Sequence, residues 1–141
     1  MKNKLFLLFL AIIPDQILKV LMSRGFLSQS EGFFGISFVC NPLLSWGIPL
    51  EGLLFWMGWT IALLGLFYLI FSFNYNWPLF LVLGGAVSNF IDRISFGCVV
   101  DYFKIGDFPI FNLADIFIVL GIFIFIFKIF GIGRFFNKIL G

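Results

Sequence analysis

Four stretches of the chain stay apolar long enough to cross a hydrocarbon layer, for which a helix needs about 20 residues. The first covers residues 5–22 and is interrupted by Pro14, Asp15, Gln16 and Lys19. The second, 53–73, holds no charged residue, and the third, 77–96, opens apolar and closes on Asn89, Asp92 and Arg93. The fourth, 109–130, carries Asn112 and Asp115 in its first turns and is then dominated by Ile and Phe. The pattern predicts an all-α membrane protein with four transmembrane helices.

The connections differ. Residues 74–76 allow only a tight turn, whereas 23–52 and 97–108 are long. Within the first long connection, 33–39 reads FFGISFV between Gly32 and Asn41-Pro42. Aromatic and β-branched residues bounded by turn residues predict a small β-element, one short strand or two, between helices 1 and 2. Lys2 and Lys4 near the start, with Lys128, Arg134 and Lys138 near the end, place both termini in the cytoplasm. The two long connections then face outward, where Arg24 and Lys104 leave the charge bias modest. Lys2 and Lys4 before an apolar run also suit a signal peptide, but the run meets Pro14-Asp15-Gln16 and turns apolar again, so an uncleaved first helix is expected.

Composition agrees with lipid as the solvent. The chain has 141 residues, of which 62% are hydrophobic and 11% charged, and its mean hydropathy is +1.13; soluble domains run about 45–50% apolar and about 25% charged. The length allows one domain, 1–141. A net charge of +2 without a basic block leaves no footprint for nucleic acid. With no histidine, Ser-His and Cys-His triads are excluded. No metal site or cofactor is predicted. Cys40 and Cys98 form no metal-ligand spacing, and two small buried apolar residues are expected rather than a disulfide or a nucleophile.

Ionisable groups inside a membrane span each cost roughly 2.5–3.5 kcal/mol, so each needs a reason. Asp15 and Lys19, four apart, share a helix face and read as an internal ion pair. Asn89, Asp92 and Arg93 share one face of the third helix, behind the small-residue surface Gly84-Gly85-Ala86; Asp92 reads as structural, paired with Arg93 or with backbone groups. Asp101, in CVVDYF, lies in an outer connection between apolar residues, and an ordinary interfacial carboxylate explains it as well as a functional one. Asn112 and Asp115 form a variant of the capping box, a role that leaves Asp115 free to act. In this topology Asp101 and Asp115 both lie at the outer face, where folding could bring them together, although the pattern does not force it. Two carboxylates sharing a site hold one proton between them, the basis of aspartic-protease chemistry.

The blocks GGAVSNFIDRISFGCVVDYF and FNLADI resemble the signature of the lipoprotein signal peptidases (signal peptidase II), approximately GGAxGNxxDRxxxGxVxDF followed by FNxAD. Asp15 and Lys19 also fall where that family has an Asp and a Lys four apart. The resemblance implies an intramembrane aspartic endopeptidase of the bacterial plasma (inner) membrane, with Asp101 and Asp115 as catalytic residues. It makes Asn41, Asn89, Arg93 and Asn112 substrate-binding or supporting residues, and leaves Asp15, Lys19 and Asp92 structural. The implied substrate is a prolipoprotein with a diacylglyceryl cysteine, cut before that cysteine by a monomeric enzyme among membrane lipids.

Two departures from the family pattern stand out. Ser88 replaces a glycine, a small-for-small change from which little effect is expected. In Asn41-Pro-Leu-Leu-Ser-Trp-Gly47, where the family reads NxGxAFG, Leu43 replaces a glycine and Ser45-Trp46 replace Ala-Phe, which alters the loop near which substrate enters. Three rival readings fit less well. A transporter or proton channel would spread polar residues through the bilayer depth, whereas here, apart from Asp15 and Lys19, they gather near the outer face. A structural subunit accounts for Asp92 and Arg93 but not for an apolar-flanked Asp101. A lipid-modifying transferase would call for a metal-binding aspartate cluster.

Overall fold

The computed structural model describes residues 2–26, 30, 32–42, 52–74 and 76–131. Leu43, Ser45, Trp46 and Gly47, and the charges of Arg134 and Lys138, lie outside the described residues. In chain order the elements are α1 (Lys2–Ser23), β1 (Phe34–Asn41), α2 (Gly52–Ser72), α3 (Pro78–Phe96), β2 (Val99–Ile105) and α4 (Leu113–Ile129). The predicted helices are all present. Among the described residues, two helices, over Lys4–Ser23 and Pro78–Phe96, are long and apolar enough to cross a membrane.

Helices α1, α3 and α4 pack closely, and the small residues predicted to permit this do so. A side chain on Gly84 would meet the Ala11 Cβ and Leu8 O at 2.7 Å, and one on Gly85 would meet the Ala114 O at 2.5 Å. Because Leu8 and Ala11 sit beside Gly84 while Lys19 reaches Asp92, α1 and α3 run parallel. Gly85 against Ala114 and Gly121 against Pro78 make α4 antiparallel to α3. An apolar cluster of Ile70, Leu79, Leu83 and Phe125 fills one end of the bundle, and the polar residues fill the other. The outside is apolar: Phe6, Phe9, Ile13 and Ile17 on α1, Ile61, Leu64 and Tyr68 on α2, and Val119, Ile122 and Phe123 on α4 are exposed. A polar interior inside an apolar surface suits lipid as the surrounding solvent.

The β-element corrects the expectation. β1 does lie between α1 and α2, but its partner is β2, from the connection after α3, in an antiparallel pair. Asp101 is therefore a strand residue. The register runs from Phe34 opposite Ile105 to Asn41 opposite Val99, with an irregularity between Ile36 and Val39. Side chains alternate between faces, so Asn41 and Asp101, diagonal across the pair, share one face, while Cys40 and Cys98 share the other.

Cys40 and Cys98 form a disulfide, contrary to the reading of both as small buried apolar residues. They are 58 positions apart and are brought together only by the strand pairing, which sequence spacing does not reveal. At the end of α3, Gly97 adopts a left-handed conformation at φ 75°, and its N–H bonds the Arg93 carbonyl. Glycine suits that cap because it lacks the Cβ that would strain it, and the chain turns there directly into β2.

Candidate active site

α4 begins at Leu113, four residues later than the apolar run suggests. Phe111 is held instead as an extra bridge on Phe103, with its N–H 3.1 Å from the Phe103 carbonyl. Asn112, with extended backbone, is the cap: its side chain accepts from the Asp115 N–H at 2.9 Å, and Asp115 Oδ2 accepts from the Asn112 N–H at 3.2 Å. The predicted capping box is thus complete. The bridge to β2 also sets Asn112 beside Asp101, to whose Oδ1 its Nδ2 donates at 2.7 Å.

The start of α4 is held by other elements as well. Tyr102 of β2 accepts the Leu113 N–H at 3.1 Å, and Asp15 of α1 accepts the Ala114 N–H at 3.2 Å. Each of these N–H groups lacks a partner within the helix, and the positive end of the helix favours nearby carboxylates. Tyr102 also donates to Asp15 Oδ1 at 2.9 Å. Burial, reinforced by the charge of Asp15, pushes the Tyr102 phenol far above its ordinary range, so it remains a donor.

Asp15, Lys19 and Asp92 form one buried cluster. The Lys19 Nζ lies 2.6 Å from Asp15 Oδ2 and 2.7 Å from Asp92 Oδ2, and none of the three side chains is exposed. The Asp15–Lys19 pair is as predicted. Asp92 bonds a backbone group, one of the two partners expected of it, accepting from the Val100 N–H at 3.1 Å; its cation is Lys19 rather than Arg93, and Gln16 Nε2 donates to it at 2.8 Å. It therefore ties α3 to α1 and to the start of β2. The Arg93 guanidinium lies over the Trp59 ring of α2, 5.9 Å from its centroid, within electrostatic reach of Asp101, Asp115 and Asp92.

Asp101 and Asp115 have neutral hydrogen-bond partners. Asp101 accepts from Asn112 and, at Oδ2, from Asn41 Nδ2 at 3.1 Å. Asp115 Oδ1 accepts from Asn89 Nδ2 at 2.8 Å. Asn112 touches both, one through its side chain and the other through its N–H. The Asp101 carboxyl is pushed up to about 6, above all by burial, with the charge of Asp115 adding; the Asn41 and Asn112 donors and the charge of Lys19 oppose this. A carboxyl that keeps its proton toward neutrality beside a second carboxyl can exchange protons with a substrate.

A profile of the signal peptidase (SPase) II family matches residues 7–131. The chain belongs to the signal peptidase II family. It is 32% identical to a lipoprotein signal peptidase of Moorella thermoacetica, over 85% of this chain and 87% of that protein. To a lipoprotein signal peptidase of Nostoc punctiforme it is 36% identical, over 86% and 87% respectively. Among solved structures it resembles a bacterial membrane enzyme determined by the in meso method at 2.3 Å resolution, with a TM-score of 0.81 and 29% identity over 93% of this chain and 89% of that one. Signal peptidase II enzymes are membrane proteases that remove signal peptides from lipoproteins, and this chain is such a protease.

The predicted site residues Asn41, Asn89, Asp101, Asn112 and Asp115 are brought into one hydrogen-bonded group, with Asp15, Lys19 and Asp92 as its buried neighbour. Three members of that neighbouring cluster were not predicted: Gln16, Ser88 and Tyr102. Ser88 is more than a small spacer, since its hydroxyl donates to Asp15 Oδ2 at 2.7 Å and accepts from Gln16 at 3.0 Å. The available signal was position: Gln16 and Ser88 are polar residues inside otherwise apolar runs.

Proposed function

We propose that the chain is an intramembrane aspartic endopeptidase whose catalytic pair is Asp101 and Asp115. The observation that carries this reading is the contrast in partners: the buried Asp101 and the half-buried Asp115 are held by neutral amides and share Asn112, while Asp15 and Asp92 share an ammonium. With one proton between them, one carboxylate takes a proton from water as its oxygen bonds the scissile carbonyl carbon. The other gives its proton to the carbonyl oxygen. When the tetrahedral intermediate collapses, the C–N bond breaks and the amine nitrogen leaves with a proton.

The substrate is a prolipoprotein whose cysteine carries diacylglycerol, cut on the N-terminal side of that cysteine. All four helices span the bacterial inner membrane, with both termini in the cytoplasm and the aspartates at the outer face; the enzyme works as a monomer, and membrane lipid and the lipidated substrate are its partners. Two features support this orientation. A disulfide between β1 and the start of β2 fits an oxidising compartment at that end. Lys128, bonded to Asn76 at 2.9 Å, gathers positive charge at the opposite end.

The test is cleavage of a diacylglyceryl-modified lipobox peptide by purified enzyme. Asp101→Asn and Asp115→Asn are each expected to lower kcat by roughly 10³-fold or more while remaining folded, since each removes a group that exchanges a proton in the transition state. Wild-type turnover in either variant rejects the pair.

A further inference from the structure

The two aspartates depend on amides pointing the right way. A side-chain amide is nearly symmetric in shape, and its neighbours decide which end is oxygen and which is nitrogen. For Asn112 the deciding neighbour is its own helix, because the Asp115 N–H can only donate, which turns the Asn112 NH₂ toward Asp101. For Asn89 the deciding neighbour is Lys19. Its Nζ lies 2.9 Å from Asn89 Oδ1, which also accepts from Asn112 Nδ2 at 3.1 Å.

An ammonium has three hydrogens and no lone pair. Lys19 has an acceptor for each of them, in Asp15, Asp92 and Asn89, and is fully buried. Flipping Asn89 would set an NH₂ against that ammonium and against the Asn112 NH₂, and turn an oxygen toward the Asp115 carboxylate. Every contact would become repulsive. Among the described residues, the charged and titratable groups around Asn89 are Asp15 and Lys19 from α1, Asp92 and Arg93 from α3, Asp101 and Tyr102 from β2, and Asp115 from α4, and Lys19 is the one cation that contacts its amide oxygen.

We propose that Lys19 is a positioning residue for proteolysis: its ammonium locks the Asn89 amide in the orientation that donates to Asp115. This rests on the reading of Asp115 as catalytic. The lysine acts through Asn89 rather than on the substrate.

A double-mutant cycle on the full-length enzyme tests it, measuring kcat and KM for a diacylglyceryl lipobox peptide with Lys19→Gln, Asn89→Ala and the pair. Glutamine is neutral and both donates and accepts, so it releases the lock. Lys19→Gln is expected to lower kcat about tenfold or more with KM unchanged, and to cause no further loss when Asn89 is already alanine. An equal loss in both backgrounds overturns the proposal, because the lysine would then act through bundle stability or its own charge. If Lys19→Gln alone does not fold, the same cycle is run in the Asp92→Asn background, where one lost carboxylate offsets the lost ammonium. Asp115→Asn keeps the two ideas apart. An inactive Asp115→Asn with an additive cycle rejects the lock alone, and a fully active Asp115→Asn rejects the catalytic pair beneath it.

Discussion

Two pairs of aspartates lie within one small polar volume, and they are built in opposite ways. Asp15 and Asp92 flank Lys19, and between them accept from Tyr102, Ser88, Gln16 and two backbone N–H groups. Asp101 and Asp115 flank Asn112 and accept from asparagines. A carboxylate bonded to an ammonium and to several further donors suits holding helices together. One held by neutral amides beside a like charge keeps a proton within reach. On the proposed reading, the more conspicuous sequence motif, Asp92-Arg93, supplies a structural member, and the chemistry falls to residues on a strand and at a helix start.

The contrast is broken most directly at Lys19. Lys19→Met leaves two buried carboxylates without their cation and is expected to cost about 3–5 kcal/mol of stability. Thermal unfolding in detergent micelles measures this, and a loss under about 1 kcal/mol would mean that the ammonium is not the keystone of the structural pair. Next comes the strand that carries Asp101. Replacing both Cys40 and Cys98 by serine removes a cross-link of 58 residues' separation and should cost about 2–4 kcal/mol. The same melting assay in wild type with and without reductant checks it, and unchanged melting would show that β1 and β2 pair without help.

The pH response sharpens the comparison. Asp101 titrates at about 6 in the folded chain, against about 3.9 for an unfolded aspartate. The folded state therefore holds this proton more tightly, and its ionisation costs stability as pH rises from 4 to 6. Above that the penalty is constant, at about 1–3 kcal/mol. Asp101→Asn lacks this titration, so wild type should lose stability relative to the variant across that window; a constant difference from pH 4 to 7 would remove the argument. The smallest effect is expected at Ser88. Ser88→Gly deletes a hydroxyl bonded to Asp15 and Gln16 and should cost about 1 kcal/mol, with kcat nearly unchanged, since it touches the structural pair alone.

Much of the molecule was legible from the chain itself, because much of it is local. The helices follow from apolar runs, the Asp15–Lys19 pair from a four-residue spacing, the capping box from Asn112 and Asp115 three apart, and the close helix contacts from Gly84-Gly85-Ala86. What lay beyond reach joins residues far apart in sequence. Tyr102 to Asp15 spans 87 positions, Ala114 to Asp15 spans 99 and Gln16 to Asp92 spans 76. The pairing of β1 with a strand from the other connection, the disulfide it creates, and Lys19 rather than Arg93 as the cation of Asp92 belong to the same class. Periodicity and spacing record which residues share a face of one element. Which faces meet is decided only when helices and strands pack, because that alone determines which buried donors and acceptors can satisfy one another away from water.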